Sequence, residues 1–377
     1  MAVVLFLAIV GCFFGHGTAQ DTAKPHILLI VADDLGWSDV SWNNPYVVTP
    51  NLHTLATTGV IFNQTYAQPT CSPSRTALLT GKFPFRLGMQ RVMDSKKPHG
   101  LPLDEELLPQ KLKKLGYATH MVGKWHLGSC KWEYTPTERG FDSFYGYHHG
   151  SQDYYTHKSA RGLDFWDGKT SISDQNGVYS TESFATRAEN IISQHDPNTP
   201  LFLYLPFQSV HTPHQVPSSY LQTFSTIQDD NRKSILDPGL DGKNMWQSIS
   251  TGADSPRNEF VYDIDSGANR YAIRIGDYKL VTGNRAPKDD WYAPAEMQQM
   301  GILTEIADDT GPFLFNIKED PLEKSNLYNA AEYASIQRAM RRRLNELKPF
   351  EVPFPDLADD PAADPSNYGN VWMPGWC

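Results

Sequence analysis

The sequence predicts an α/β protein in which a larger domain with a mostly parallel central sheet precedes a smaller C-terminal domain with an antiparallel sheet and a helix. Three apolar, strand-like runs carry the first part of that expectation. His26 to Ala32 ends at Asp33-Asp34, Ala118 to Val122 ends at Gly123-Lys124-Trp125-His126, and Leu201 to Leu205 leads to Ser209-Val210-His211. Apolar runs without alternation suit strands covered on both faces of a parallel sheet. Each run stops abruptly in polar residues with catalytic potential. In open α/β sheets ligands bind beyond the carboxyl ends of the strands, which is where all three clusters fall.

Helices between these runs supply the crossovers. Leu107 to Leu115, closed by Gly116, is one; Thr181 to Ile192 is another. In the second half, Tyr271, Ile273, Ile275, Tyr278 and Leu280 predict an antiparallel hairpin turning at Gly276-Asp277, with a further strand at Phe313 to Asn316. Ala331 to Leu347 reads as an amphipathic helix with Arg341-Arg342-Arg343 near its end, where cations suit the helix dipole; the arginines read as a solvated face. The Pro- and Asp-rich segment beyond Pro349 reads as a surface loop. The sequence contains no internal repeat or low-complexity tract.

The N-terminal run Val3 to Phe14 is too short to span a bilayer and is followed by Gly17-Thr18-Ala19, so residues 1–19 read as a signal peptide cleaved near Ala19. No later segment is apolar enough for a membrane helix. Secretion makes disulfides permissible, yet only Cys71, Cys130 and Cys377 follow the leader, an odd count that asks for one special cysteine. Asn63-Gln64-Thr65 is a glycosylation acceptor sequence. The formal charge of -10 argues against nucleic acid or anionic lipid as a partner. With all 12 His protonated the sum becomes +2, so an acidic compartment removes the repulsion against a polyanionic substrate.

The strongest local signal is Cys71-Ser72-Pro73-Ser74-Arg75, followed by Leu78-Leu79-Thr80-Gly81-Lys82. Ser72 suits an N-cap, Pro73 the first helical position and Gly81 the exit, so a short helix is expected just after the cysteine. That places Cys71 at an anion-binding helix N-terminus, with Arg75 on the first turns. Such geometry serves a thiolate nucleophile or a phosphate site equally well. Taken alone, Asp33-Asp34 at a strand end is more often a turn than a ligand pair.

With these motifs the chain resembles the type I, formylglycine-dependent sulfatases, most closely the arylsulfatase B (N-acetylgalactosamine-4-sulfatase) group. The resemblance covers nearly the whole mature chain. It implies an alkaline-phosphatase-like α/β fold, with a catalytic domain over residues 24–235 and a C-terminal subdomain over 236–377. It implies that Cys71 is oxidised in the endoplasmic reticulum by the formylglycine-generating enzyme. It also implies that Asp33, Asp34 and the modified Cys71 ligate one Ca²⁺, as hard oxygen donors should. Gly123-Lys124-Trp125-His126-Leu127-Gly128 matches the second family signature, in which the lysine binds sulfate and the histidine acts on the formylglycine hydroxyl. His211 matches the sulfate-contacting histidine, a candidate proton donor to the leaving alcohol. His214 has no counterpart and reads as a surface residue. With Cys71 an aldehyde, Cys130 and Cys377 are left as a disulfide pair. The implied substrate is a sulfated glycosaminoglycan sugar or an aryl sulfate, met in the lysosome or outside the cell. A related phosphatase or phosphodiesterase would offer Ser or Thr where this chain has Cys71.

The chain departs from the family at one place. After Asp229-Asp230-Asn231-Arg232 the family continues for on the order of 100 residues, far beyond an ordinary connection. That stretch carries an Asp-Asn-Gly-Gly segment completing the metal site and a second sulfate-binding lysine. Here Lys233 to Pro238 runs straight into Leu240-Asp241-Gly242-Lys243-Asn244-Met245-Trp246. The alternative reading is therefore a truncated or splice-variant, catalytically impaired secreted protein that at most binds sulfated glycans.

Overall fold

The computed structural model describes residues 4–10, 24–44, 47–62, 65–223, 258–283, 311–321, 323 and 325–377. Asn63 and the junction at 233–246 lie outside the described residues. The chain divides into two compact units. One comprises Met1–Lys82, Arg91–Gly242 and Pro355–Cys377, the other Phe83–Gln90 and Lys243–Phe354.

The first unit is built on a seven-stranded sheet. In chain order its strands are β1 (Val4–Val10), β2 (His26–Ala32), β3 (Ala118–Lys124), β4 (Ser143–Tyr147), β7 (Trp166–Asp167), β8 (Thr170–Ser171) and β9 (Leu201–Pro206), while β5 (Lys158–Ser159) and β6 (Gly162–Leu163) form a separate pair. The spatial order is β1-β2-β9-β3-β4-β7-β8. Strands β2, β9, β3 and β4 run parallel. The three apolar runs of the sequence are therefore adjacent strands, and their carboxyl ends open on one edge of the sheet.

Strand β9 is buried at every position, as its unbroken apolar sequence requires. Helix α4 (Ser180–Gln194) lays Phe184 and Ala188 on the sheet beside Tyr145, Tyr147, Leu201, Leu203 and Leu205. Helix α3 (Leu108–Lys114) precedes β3 and leaves through Gly116 at φ 84°, a left-handed exit that glycine takes without penalty. Glycine is also required at Gly123, where φ is 124° and an added Cβ would lie 2.0 Å from the Pro206 carbonyl oxygen. That close approach holds the end of β3 against the end of β9.

Val4–Val10 falls within residues 1–19, the segment expected as a signal peptide, and is extended. It pairs antiparallel with β2 from Val4↔Ala32 to Val10↔His26. The edge of a parallel sheet offers a ready ladder of backbone groups, and an apolar segment satisfies its own by adding to it.

The C-terminal segment belongs to the first unit. The backbone nitrogens of Gly375, Trp376 and Cys377 all approach the carbonyl of Cys130, and Cys130 is bonded to Cys377 with Cα atoms 5.3 Å apart. Trp372 is buried, its indole nitrogen donating to the Ser159 carbonyl.

The second unit carries a four-stranded antiparallel sheet, β10 (Glu259–Asp265), β11 (Arg270–Ile275), β12 (Tyr278–Gly283) and β13 (Phe313–Asn316). The hairpin pairs Ile275 with Tyr278 and turns at Gly276-Asp277, as the sequence predicts. A long helix, Ala334–Leu347, buries Met340 and Leu344 against Val261, Ile264, Ile273, Leu280 and Leu314.

Candidate active site

The helix carrying the cysteine motif is α2 (Cys71–Thr80). It begins two residues earlier than expected: extended Thr70 is the N-cap, and Cys71 itself is the first helical residue. Ser72 is not the cap because its hydroxyl accepts a hydrogen bond from the Met93 amide at 3.2 Å. Gly81 ends the helix at φ 72°, as expected. The consequence is that Cys71 stands at the first position of the helix, an end that favours an anion.

Asp33 follows β2 directly, and its backbone is tied to the loop after β9 through Asp33 N to Ser209 O at 2.9 Å and Val210 N to Asp33 O at 2.8 Å. Asp34 takes a left-handed conformation at φ 64°, which turns its side chain off the strand line. Lys124 ends β3, and its ammonium donates to Asp33 Oδ2. Arg75, from α2, places Nη2 3.3 Å from Asp33 Oδ1 and donates from Nη1 to the Lys124 carbonyl at 2.7 Å. All three side chains are sealed from solvent.

His126 lies two residues past β3 at φ 58° with its ring buried, Nε2 3.1 Å from the Met93 carbonyl. Gly150 packs so closely on this ring that a Cβ there would come within 2.7 Å. His211 is held from two sides. Its Nδ1 donates to the Thr212 carbonyl at 2.7 Å, and its own carbonyl accepts from the Tyr154 hydroxyl at 2.9 Å. Its Nε2 lies 3.6 Å from Asp34 Oδ2.

The structure thus brings together Asp33, Asp34, Cys71, Arg75, Lys124, His126 and His211. Burial alone would raise the Asp33 carboxyl, but Lys124 and Arg75 beside it outweigh that and hold it at about 2. For Asp34, burial and the neighbouring Asp33 charge outweigh the pull of His211 and Lys124 and push it up to about 6. Burial opposes ionisation of Cys71 too, yet Lys124 and hydrogen bonds from His126 and His211 bring its thiol down to about 4. His211 would be lowered by burial, but its bond to Cys71 raises it above the ordinary histidine value. An ionised group at position 71 is therefore stabilised by one ammonium and two imidazoles. Sequence reasoning did not find Tyr154, which positions His211, or the Met93 carbonyl, which orients His126. Neither belongs to a motif, and a backbone carbonyl leaves no mark in the residue type.

The donor set tests the metal expectation. Among the described residues one cluster suits a metal ion, Asp33, Cys71 and His211, whose donor atoms lie within 4.8 Å of one another. Asp33 Oδ1 is buried without a hydrogen bond. Ca²⁺ takes 6 to 8 oxygens, and two carboxylates with one Cys71-derived oxygen fall short of that number. The described residues do not by themselves fit Ca²⁺.

A buried cysteine at a helix N-terminus, flanked by Arg, Lys, two His and two Asp beyond the ends of parallel strands, is set in an alkaline-phosphatase-like α/β fold. The sulfatase family model matches residues 25–273, and the chain belongs to the sulfatase family, which works through formylglycine and a metal ion. It is 31% identical to arylsulfatase J of Mus musculus over 489 aligned positions, covering 95% of this chain and 81% of the relative. An alignment of that length with a chain of 377 residues leaves more than a quarter of its positions without a residue here. It is 33% identical to N-acetylgalactosamine-6-sulfatase of Homo sapiens over 229 residues, spanning 55% of this chain but less than half, 44%, of that relative. The crystal structure of Ps i-CgsB shares the fold at a TM-score of 0.70 and 20% identity, over 91% of this chain and 95% of that one. Among the described residues no helix is long and apolar enough to cross a membrane.

Proposed function

We propose that the chain hydrolyses sulfate monoesters on glycosaminoglycan-type sugars, in the manner of the arylsulfatase B group, through a formylglycine made from Cys71 by the formylglycine-generating enzyme. The observation that carries this reading is the convergence of Cys71, Lys124, His126 and His211 on one point beyond β2, β9 and β3. As a hydrated aldehyde, residue 71 would supply one oxygen to attack sulfur and a second hydroxyl whose proton loss expels sulfate, which a plain thiol cannot do.

The chain's other residues have separable tasks. Lys124 neutralises sulfate oxygens as charge moves toward the leaving oxygen. Arg75 holds Asp33 and the end of β3 in place, so that the lysine is positioned before substrate arrives. His211, raised above the ordinary histidine value and open to solvent on one side, gives a proton to the leaving alcohol. His126, oriented by Met93, takes the proton from the hydroxyl at residue 71. Asp33 and Asp34 would contribute oxygens to the Ca²⁺ that the family implies, the rest having to come from groups other than the described residues; Asn63 is a glycosylation site and residues 1–19 a cleaved leader directing the chain to the lysosome or the exterior. The test is mass spectrometry of the peptide containing Cys71, together with sulfate release, on protein from a secretory host.

A second reading, an impaired sulfatase that binds sulfated glycans without turnover, is favoured by the metal-donor count. It predicts glycan binding without sulfate release even when formylglycine is present.

A further inference from the structure

The set that falls short for Ca²⁺ has a different character when residue 71 remains a cysteine. It then offers one sulfur from Cys71, one imidazole nitrogen from His211, and carboxylate oxygens from Asp33 and Asp34. We propose that the unmodified form of the chain binds a thiophilic divalent cation of the zinc class through Cys71, His211 and Asp33, with Asp34 or water as fourth donor.

Three observations support this. The donor atoms of Asp33, Cys71 and His211 lie within 4.8 Å of one another. Tetrahedral zinc holds its ligands roughly 3.5 Å apart, so small side-chain rotations close the site. The second observation is the orientation of His211. Its Nδ1 is committed to the Thr212 carbonyl at 2.7 Å, leaving Nε2 as the electron-pair donor on the side of Asp34, 3.6 Å away. Metal-binding histidines are held in this way, the second nitrogen donating to a backbone carbonyl or carboxylate. The third is Asp33 Oδ1, fully buried and making no hydrogen bond, with the Arg75 guanidinium facing it as an ion pair at 3.3 Å. A mixed set of four donors matches the number and softness zinc prefers, whereas Ca²⁺ wants harder and more numerous oxygens.

Binding releases to solvent the proton that Cys71 and His211 share and forms a sulfur–metal and a nitrogen–metal bond, with no redox change. Chains that leave the secretory pathway unoxidised would then carry a capped, inert cysteine. The site does not depend on sulfatase activity, so it stands or falls separately from the proposed function.

Cobalt(II) is the probe, because a thiolate bound to it gives a near-ultraviolet charge-transfer band and tetrahedral geometry gives strong visible absorption. The full chain is prepared with Cys71 as thiol and, separately, with formylglycine, each verified by mass spectrometry and by the intact Cys130–Cys377 bond. The thiol form should take up one cobalt with both absorptions, release it to zinc, and keep it in excess calcium. The formylglycine form should show no charge-transfer band, which serves as a sulfur-free control even if Cys71→Ser does not fold. His211→Ala should weaken cobalt binding by at least about tenfold while keeping the charge-transfer band. Absence of the band in folded thiol form, its presence in the formylglycine form, or unchanged affinity in His211→Ala would overturn the proposal.

Discussion

The ammonium of Lys124, at the end of β3, is buried against the carboxylate of Asp33, at the end of β2, with both side chains at 0% exposure. The two strands are not neighbours; β9 runs between them. The pair therefore spans the middle strand and locks the carboxyl edge of the sheet. Removing one partner of a buried pair strands the other charge, and Lys124→Met should cost about 3 kcal/mol at neutral pH. Asp33 has a folded-state pKa lowered to about 2, so its contribution is present above about pH 4 and is lost as pH falls toward that value. Urea unfolding in chelator should show the difference between Lys124→Met and the parent shrinking over that range.

Asp34 has the opposite sign. Its folded-state pKa is raised to about 6 from 3.8, so its stabilising contribution is present below about pH 4 and lost as pH rises through 6. Above that the charged form costs about 3 kcal/mol. In chelator, Asp34→Asn should raise the melting temperature at pH 7.5 and leave it unchanged near pH 4. A cation bound by Asp34 would abolish the gain, so repeating the melt with calcium or zinc reports whether the carboxylate meets a metal.

The bond between Cys130 and Cys377 closes a separation of 247 residues. On the chain-entropy account such a loop is worth about 5 kcal/mol. Cys377→Ser should unfold at correspondingly lower urea, and the first change should be exposure of Trp372, which the tail holds against Gly162. Unchanged stability would show that the tail is fixed by packing alone.

Much of this was legible in the sequence for a simple reason. Strands β2, β3 and β9 are continuous apolar runs, and a run covered on both faces advertises itself without any partner being known. The residues just past those runs inherit their position at the carboxyl edge, so Asp33, Lys124 and His211 could be assembled before any coordinates. The α2 start differs by two residues because a serine before a proline looks like a cap, while the Met93 amide that occupies it lies 21 positions away. Tyr154 and Asp164, the latter accepting from the His148 and His149 amides, act through single contacts that carry no period or spacing.

His211 as proton donor leads to a prediction about leaving groups. A sugar hydroxyl needs protonation as it departs, whereas an acidic phenol does not. His211→Ala should lower kcat on a sulfated sugar by about 100-fold or more and have a much smaller effect on a nitrophenyl sulfate. Equal losses on both would place His211 in sulfate binding instead.

The central claim is that residue 71, as formylglycine, and Lys124 form a sulfate-ester hydrolysis site, and aryl sulfate turnover measured against formylglycine content tests it most directly. Soluble chain from a secretory host, with formylglycine occupancy measured, is compared with its Lys124→Ala variant and with a version in which the family's absent stretch is restored. The account predicts turnover proportional to occupancy, a loss of at least about 100-fold in Lys124→Ala, and a gain of similar size on restoration. Turnover in chains whose Cys71 remains a thiol, or turnover unaffected by Lys124→Ala, would contradict it.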